Sequence, residues 1–161
     1  MPEIRTGLGW DVHRIVPGRP LILGGVTVPS EFGLEGHSDA DVLAHAVIDA
    51  LLGAAALGDI GEHFPDTEEA WRGADSMQLL AAIVELVTAG GLEIVNVDCT
   101  LVMEEPKLGP HRAAIRERLA DALGLSLGRV NVKASSGEGM GFVGRREGVA
   151  ALAVASLQSP D

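Results

Sequence analysis

The stretch GHSDADVLAHAVIDALLGAAAL, residues 36–57, decides the fold because it combines a helix start, an apolar stripe and a row of polar side chains. Ser38, followed three residues later by Asp41, resembles a capping box with Asp in place of Glu, and it predicts a helix through the rest of the stretch. The apolar stripe of this helix consists of Leu43, Val47, Ile48, Leu51 and Leu52. Asp41, His45 and Asp49 recur every four residues on one face. A polar row on a core helix needs an explanation.

The segments on either side alternate between strand and helix patterns. Strands are predicted over residues 4–13, 21–23, 26–28, 92–103, 129–135 and 148–157. Two further helices are predicted, one capped by Asp75 and ending at Gly90, the other starting with Pro110 and ending at Gly124. This alternation predicts one α+β (layered α/β) domain over residues 1–161, with a mixed sheet of about four main strands and helices packed on one face.

Composition excludes several classes of protein. The net charge of −11 argues against a nucleic-acid surface, which needs clustered Lys and Arg. No apolar run approaches the roughly 20 residues that span a bilayer, and the N-terminus lacks a secretory signal, so we expect a cytoplasmic protein without a membrane partner. The lone Cys99 lies in an alternating apolar segment, which favours a buried, inert thiol over a nucleophile.

Three potential metal ligands come from the first strand and the helix of residues 36–57. Alternate strand residues point the same way, so Asp11 and His13 can face one point while Val12 is expected to enter the core. His45 would come from the helix. Two imidazoles and a carboxylate leave one coordination position open, which is the catalytic arrangement in zinc sites, although the same ligands also suit iron. Asp11 and His13 alone favour a hydrogen-bonded strand histidine over a metal site, and it is His45, behind the polar row, that makes a metal site as well supported.

Other polar segments suit a phosphate-bearing ligand. His37 and Ser38 lie at the predicted helix N-terminus, where free N–H groups favour an anion, although Ser38 also suits a simple N-cap. The segment Lys133–Glu138 ends a strand, and it can present N–H groups to phosphate while Glu138 holds magnesium. The loop with Asp59 and Asp66 either forms plain turns or accepts hydrogen bonds from substrate hydroxyls.

Taken in order, these motifs resemble one family across nearly the whole chain. The motifs are Gly9–His13, Gly36–Asp41 with His45, Gly58–Gly61 with Phe64–Asp66, Pro106–Lys107, and Val132–Ser136 with Glu138, Gly141–Phe142 and Arg145. They resemble the 2-C-methyl-D-erythritol 2,4-cyclodiphosphate synthases, the ring-closing enzymes of the non-mevalonate isoprenoid pathway. The resemblance implies a phosphorus-oxygen lyase that converts 4-diphosphocytidyl-2-C-methyl-D-erythritol 2-phosphate to the cyclic diphosphate and CMP.

The resemblance also implies cofactors and residue roles. It assigns Zn²⁺ to Asp11, His13 and His45, Mg²⁺ or Mn²⁺ to Glu138, and catalytic roles to His37 and Ser136. Substrate binding is implied for Asp11, His13, His37, Ser38, Asp59, Ile60, Gly61, Phe64, Pro65, Asp66, Met103, Pro106, Lys107, Leu108, Gly109, Ser135, Ser136, Glu138, Phe142 and Arg145.

The assembly implied by the family is a homotrimer with its sheets around a threefold axis and its active sites between subunits. An apolar channel on that axis, near Phe142 and Arg145, would take an isoprenoid diphosphate. From the residues alone, two other functions remain open, a zinc-dependent phosphoester hydrolase and a non-catalytic metal-stabilised binding module. An iron oxygenase is a further alternative.

Overall fold

A computed structural model describes residues 1–160, within which the chain forms seven strands and five helices. The strands are β1 Ile4–Pro17, β2 Leu21–Leu23, β3 Val26–Val28, β4 Phe32–Leu34, β5 Glu93–Val102, β6 Val130–Ser135 and β7 Gly148–Gln158. The helices are α1 Val42–Ala55, α2 Ile60–His63, α3 Ser76–Ala89, α4 Arg112–Leu123 and α5 Gly141–Gly144. Single 3₁₀ turns occur at Glu69–Trp71, Gly109–His111 and Leu127–Arg129.

The main sheet has five strands in the order β4-β1-β7-β5-β6, and β2 pairs with β3 in a separate hairpin. β5 and β6 are parallel, while β1 with β4, β1 with β7, and β5 with β7 are antiparallel. The predicted mixed sheet with helices on one face is therefore confirmed. β4, α2 and α5 were not predicted, because segments of three or four residues are too short to show a period.

Helix α1 packs directly on the backbone of β1. A Cβ built at Gly9 would lie 1.8 Å from the carbonyl oxygen of Ala46, and one at Gly7 would lie 2.0 Å from that of Ala50. Only glycine permits this approach. The small residues of β7 extend the same surface, since Ala151 and Ala153 are buried. Because α1 lies this close, the side chain of a helix residue can reach those of β1.

The start of α1 differs from the prediction. Asp41, not Ser38, is the N-cap, and its carboxylate accepts from the Ala44 N–H at 3.0 Å. The same carboxylate accepts from the N–H groups of Gly24 at 2.9 Å and Gly25 at 2.8 Å, in the turn between β2 and β3. Burial raises the pKa of Asp41, although these hydrogen bonds oppose the rise. The first member of the polar row therefore joins a hairpin to the helix.

The prediction that Val12 enters the core is wrong. Gly7, Gly9, Asp11 and His13 take the side of β1 that faces α1, so the alternate residues lie on the opposite face of the sheet. That outer face is apolar and exposed in a single copy of the chain, with Leu8 67%, Trp10 50%, Val12 43% and Val154 39% exposed.

Cys99 is buried in β5, and burial raises the pKa of its thiol to about 12, which makes it unreactive as predicted. Within residues 1–160 no helix combines the length and apolarity needed to cross a membrane.

Candidate metal centre and substrate cavities

Asp11, His13 and His45 converge at the point where α1 crosses β1. Asp11 Oδ2 lies 2.9 Å from His13 Nε2 and 3.1 Å from His45 Nδ1, and the two nitrogens are 3.2 Å apart. Among residues 1–160, these three form a group whose ligand atoms all lie within 4.8 Å of one another. Tetrahedral zinc with bonds of about 2.0–2.1 Å separates its ligand atoms by about 3.4 Å, close to the spacing of this triangle.

The hydrogen bonds of His13 show which of its nitrogens is free for a cation. Its Nδ1 lies 2.7 Å from the carbonyl oxygen of Glu35, which can only accept, so Nδ1 carries a proton. In the neutral ring, Nε2 then carries a lone pair, which is directed at the carboxylate of Asp11. Such a contact is repulsive unless a proton or a metal ion lies between the two atoms. The hydrogen bond from Nδ1 to the carbonyl oxygen of Glu35 is of the type that usually orients a metal-binding histidine. The residues therefore fit a divalent cation.

The charges of the cluster agree with this interpretation. Burial alone would raise the pKa of Asp11, but hydrogen bonds from His13 and His45 outweigh it and lower the pKa to about 2. Burial would likewise lower the pKa of His13, yet the hydrogen bond to Asp11 and its negative charge raise it. A cation at this position would replace the proton that otherwise lies between the carboxylate of Asp11 and the imidazole of His13.

The cluster opens into a cavity of about 560 Å³. Of the residues named from the sequence, the cavity is lined by Asp11, His13, His37, Ser38, His45, Ile60, Gly61, Phe64, Pro65 and Asp66. Thr67, Trp71 and Leu79 line it as well and were missed. Trp71 packs edge-on against Phe64 at 5.0 Å between ring centroids, a long-range pairing that local sequence patterns do not report. Asp59 does not line this cavity, because its carboxylate caps α2 through the Glu62 N–H at 3.0 Å.

His37 lies beside the ligands but not at a helix N-terminus, because α1 begins only at Val42. Its Nε2 lies 2.8 Å from the carbonyl oxygen of Glu68, so this nitrogen donates. Nδ1 is left as an acceptor in the neutral ring and as a donor in the protonated ring. His37 can therefore donate to an anion from Nδ1 only in its protonated form.

A second cavity, of about 330 Å³, lies between the end of β6 and the loop after β5. It brings together seven residues named from the sequence, Met103, Pro106, Lys107, Leu108, Gly109, Ser135 and Ser136. Glu104, within the same loop, and Arg112 also line it, and of these two only Arg112 was not anticipated. Two loops that are distant in sequence meet here because β5 and β6 are parallel, so their C-terminal ends share one edge of the sheet.

Besides Asp59, three further residues named from the sequence lie apart from both cavities. Glu138 is exposed in the turn after β6, at φ 53°, outside the cluster of metal ligands. Phe142 lines a third cavity with Trp10 and Val12 on the outer face of the sheet. Arg145 pairs with Glu147 at 3.1 Å. A single copy of the chain therefore does not bring Glu138 to the centre formed by Asp11, His13 and His45.

A known protein family matches nearly the whole chain, including the residues of the metal cluster and both cavities. The model of the YgbB family matches residues 4–158. The chain belongs to the YgbB family. YgbB-family relatives include the 2-C-methyl-D-erythritol 2,4-cyclodiphosphate synthase of Solibacter usitatus, which is 59% identical over 98% of this chain and 99% of its own length. The protein of the same name from Symbiobacterium thermophilum is 60% identical over 94% of this chain and 96% of its own length. The resemblance inferred from the motifs is thus confirmed.

Solved structures agree with this YgbB-family assignment. A 2C-methyl-D-erythritol-2,4-cyclodiphosphate synthase in a CDP-bound form superposes with a TM-score of 0.88 at 41% identity, covering 95% of this chain and 99% of that one. The bifunctional IspDF of Campylobacter jejuni superposes with a TM-score of 0.96 at 45% identity. The match covers 100% of this chain but 44% of that longer chain.

Proposed function

We propose that this YgbB-family chain converts 4-diphosphocytidyl-2-C-methyl-D-erythritol 2-phosphate to 2-C-methyl-D-erythritol 2,4-cyclodiphosphate and CMP, in the synthesis of isoprenoid precursors. The observation that carries the proposal is the cluster of Asp11, His13 and His45 facing a cavity large enough for a sugar phosphate. Relatives of nearly equal length at 59–60% identity carry the name of this synthase.

The reaction joins two phosphate groups of one substrate, so its main obstacle is electrostatic. Attack of the 2-phosphate on the β-phosphorus brings two anions together and releases CMP, and catalysis of this type depends on positioning and charge stabilisation. Each pair of unit charges at 4 Å interacts by about 4 kcal/mol at an effective dielectric constant near 20. The chain carries 12 Lys and Arg against 23 Asp and Glu, a net charge of −11, so bound cations would supply much of the positive charge that the reaction needs.

Asp11, His13 and His45 are proposed to hold Zn²⁺, and Glu138 to hold Mg²⁺ or Mn²⁺. Bound there, the two ions would polarise phosphoryl oxygens and neutralise charge on the leaving group. The protein positions the remaining groups. His37, in its protonated form, and Ser136 are proposed to donate hydrogen bonds to the transferring phosphoryl oxygens, with Ser38 beside them.

The two cavities are proposed to divide the substrate between them. The methylerythritol unit would occupy the first cavity, with contacts from Ile60, Gly61, Phe64, Pro65 and Asp66. Asp59 would contact it only after its carboxylate leaves the cap of α2. The cytidine would occupy the second, with contacts from Met103, Pro106, Lys107, Leu108, Gly109 and Ser135. The CDP-bound form of a solved relative supports a cytidine nucleotide as the ligand.

We also infer a homotrimer with its active sites between subunits. Two observations support it, the exposed apolar face that includes Leu8 and Trp10, and the separation of Glu138 from the metal ligands in one copy. In the trimer, Glu138 of one subunit would approach the centre of the next. Phe142 and Arg145 would line the threefold axis, where an isoprenoid diphosphate would bind. The cytoplasmic location expected from the sequence stays a prediction.

The test is turnover of the cytidylyl substrate with product analysis. CMP is measured by chromatography and the second product by phosphorus NMR, for the wild-type protein with and without a chelator and for His45→Ala. We expect the cyclic diphosphate from the wild-type protein and almost no CMP from the other two samples. A linear phosphate product would instead identify a hydrolase, and zinc binding without CMP release would identify a binding module. Full turnover by a chelated, zinc-free sample would contradict the proposed centre.

A further inference from the structure

Three buried polar residues, Ser38, His45 and Ser76, contact one another on the side of the His45 ring that faces away from Asp11. The buried polar residues within residues 1–160 are Ser38, Asp41, His45 and Ser76. Asp41 caps α1, as described above. Ser76, the first residue of α3, is fully buried, and its hydroxyl oxygen lies 2.8 Å from His45 Nε2, on the side of the ring that faces away from Asp11.

The partner of Ser76 on its other side is Asp39. The hydroxyl of Ser76 donates to Asp39 Oδ1, and the backbone N–H of Ser76 donates to Asp39 Oδ2 at 3.1 Å. The Asp39 carboxylate is only half-buried, and it also accepts from the N–H of Asp41 at 3.1 Å. The carboxylate, the hydroxyl and the imidazole thus form a continuous chain that ends at a candidate metal ligand.

These contacts determine where the proton of His45 lies. A carboxylate can only accept, so the hydroxyl hydrogen of Ser76 is committed to Asp39. The Ser76 oxygen can then only accept from the imidazole, and His45 Nε2 must carry the hydrogen. Ser38 Oγ, 3.2 Å from the same nitrogen, would favour the opposite tautomer if it donated, but that would set two lone pairs against each other at 2.8 Å. In the neutral ring, which is the form that binds a cation, the lone pair of His45 is therefore on Nδ1, which faces Asp11 and His13.

We propose that Asp39 and Ser76 are positioning residues of the metal centre, which hold the His45 ring in the tautomer and orientation that direct Nδ1 at the cation. The inference rests on the proposed metal centre and adds two residues to which neither the motifs nor the relatives' names assign a role. A hydrogen bond that runs from the far nitrogen of a ligand histidine to a carboxylate also strengthens the ligand as an electron donor. Here the connection passes through a hydroxyl.

Backbone hydrogen bonds next to Asp39 and Ser76 also connect the His37 loop to the segment that precedes α3. The N–H of Asp39 donates to the carbonyl of Ala74 at 3.0 Å, and the N–H of Gly73 donates to the carbonyl of His37 at 2.7 Å. His37 and His45 therefore lie on segments that share one anchor at the start of α3. A change at Ser76 is expected to disturb the metal ligand first, because these backbone hydrogen bonds do not involve its side chain.

The test measures zinc affinity, by competition with a chromophoric chelator, for the wild-type protein, Ser76→Ala and Asp39→Asn. We expect both variants to bind zinc about 10- to 100-fold more weakly. Thr88→Ala is the matched control, since Thr88 lies on the same helix and its hydroxyl bonds the carbonyl of Val84 at 2.7 Å; its zinc affinity should equal that of the wild type. Unfolding of the metal-free proteins separates loss of affinity from loss of stability.

Nitrogen-15 NMR of the wild-type imidazoles provides a second readout that does not depend on how any variant folds. We expect the neutral His45 ring to carry its single hydrogen on Nε2. A hydrogen on Nδ1, or zinc affinities of Ser76→Ala and Asp39→Asn equal to that of the wild type, would overturn the positioning role while leaving the metal centre intact. Failure of the wild-type protein to bind zinc would overturn the metal centre and the positioning role together.

Discussion

Replacement of Gly9 by alanine tests how the packing of one helix determines the metal centre. The added Cβ would lie 1.8 Å from the carbonyl oxygen of Ala46, whereas real Cβ contacts essentially never fall below 3.0 Å. The shortfall is about 1.2 Å. The backbone of β1 fixes the position of the Cβ, and the oxygen belongs to the backbone of α1, so a change of rotamer cannot relieve the clash and α1 must move away from β1.

The expected effect has two parts. Overpacking of a closely packed core costs about 1–3 kcal/mol, and the absence of a flexible neighbour places Gly9→Ala at the upper end of that range. The retreat of α1 also carries His45, adjacent to Ala46, away from Asp11 and His13 on β1. A metal site tolerates displacements of about 0.5 Å, so we expect zinc affinity to fall at least about tenfold. Turnover should fall about 100-fold, as for other misplacements of about 1 Å.

Gly53→Ala is the matched control, because Gly53 lies on α1 and its added Cβ would meet only the Cα of Gly7, at 3.7 Å. Alanine is favoured over glycine in a helix by about 1 kcal/mol, so this variant should be at least as stable as the wild type and bind zinc equally well. The assays are urea unfolding at one fixed protein concentration and chelator competition for zinc. Wild-type stability and zinc affinity in Gly9→Ala would refute the argument that direct backbone packing places His45.

Three further predictions concern the cations and the assembly. Glu138→Gln should raise the magnesium concentration needed for half-maximal CMP release, and an unchanged magnesium titration would count against the role of Glu138. The carboxylate of Asp11, with a pKa of about 2, stays ionised at any working pH, whereas His13 has a raised pKa and must lose its proton to bind zinc. Zinc affinity should therefore fall about tenfold per pH unit below the pKa of His13, which the hydrogen bond to Asp11 and its charge raise above the ordinary value of histidine. An affinity that is constant from pH 8 to pH 5 would contradict this. Trp10→Glu places a charge on the exposed apolar face and should yield monomers in size-exclusion chromatography. The control is Leu127→Glu, in the 3₁₀ turn before β6, where the side chain is 44% exposed; this variant should remain a trimer. A trimer in both variants would exclude the apolar face as the interface.

Several features of the fold could be predicted because they repeat along the chain. Helix α1 shows an apolar stripe over four turns, and β5 alternates for ten residues, so both follow from the spacing of apolar residues. The short elements α2 and α5 contain four residues each, fewer than one and a half helical turns, and have no period to detect. The alternation of β1 placed Asp11 and His13 on one side of the strand, but it did not show which side is covered. Val12 was assigned to the core because apolar residues usually lie there, whereas it lies on a sheet face that a single copy leaves open.

The amino-acid sequence by itself determined the residue types that can bind a metal, the two elements that carry them and the family to which the chain belongs. Each of these depends on identity and local spacing, which the sequence contains in full. The tertiary structure alone decided that Asp41 joins α1 to the β2–β3 turn, that Ser76 lies behind His45, and that Glu138 lies away from the centre in one copy. The first two contacts join residues 17 and 31 positions apart, a separation over which local spacing carries no information. The close packing of α1 on β1 likewise depends on the absence of a Cβ at Gly7 and Gly9, which shows only when the two elements are placed together.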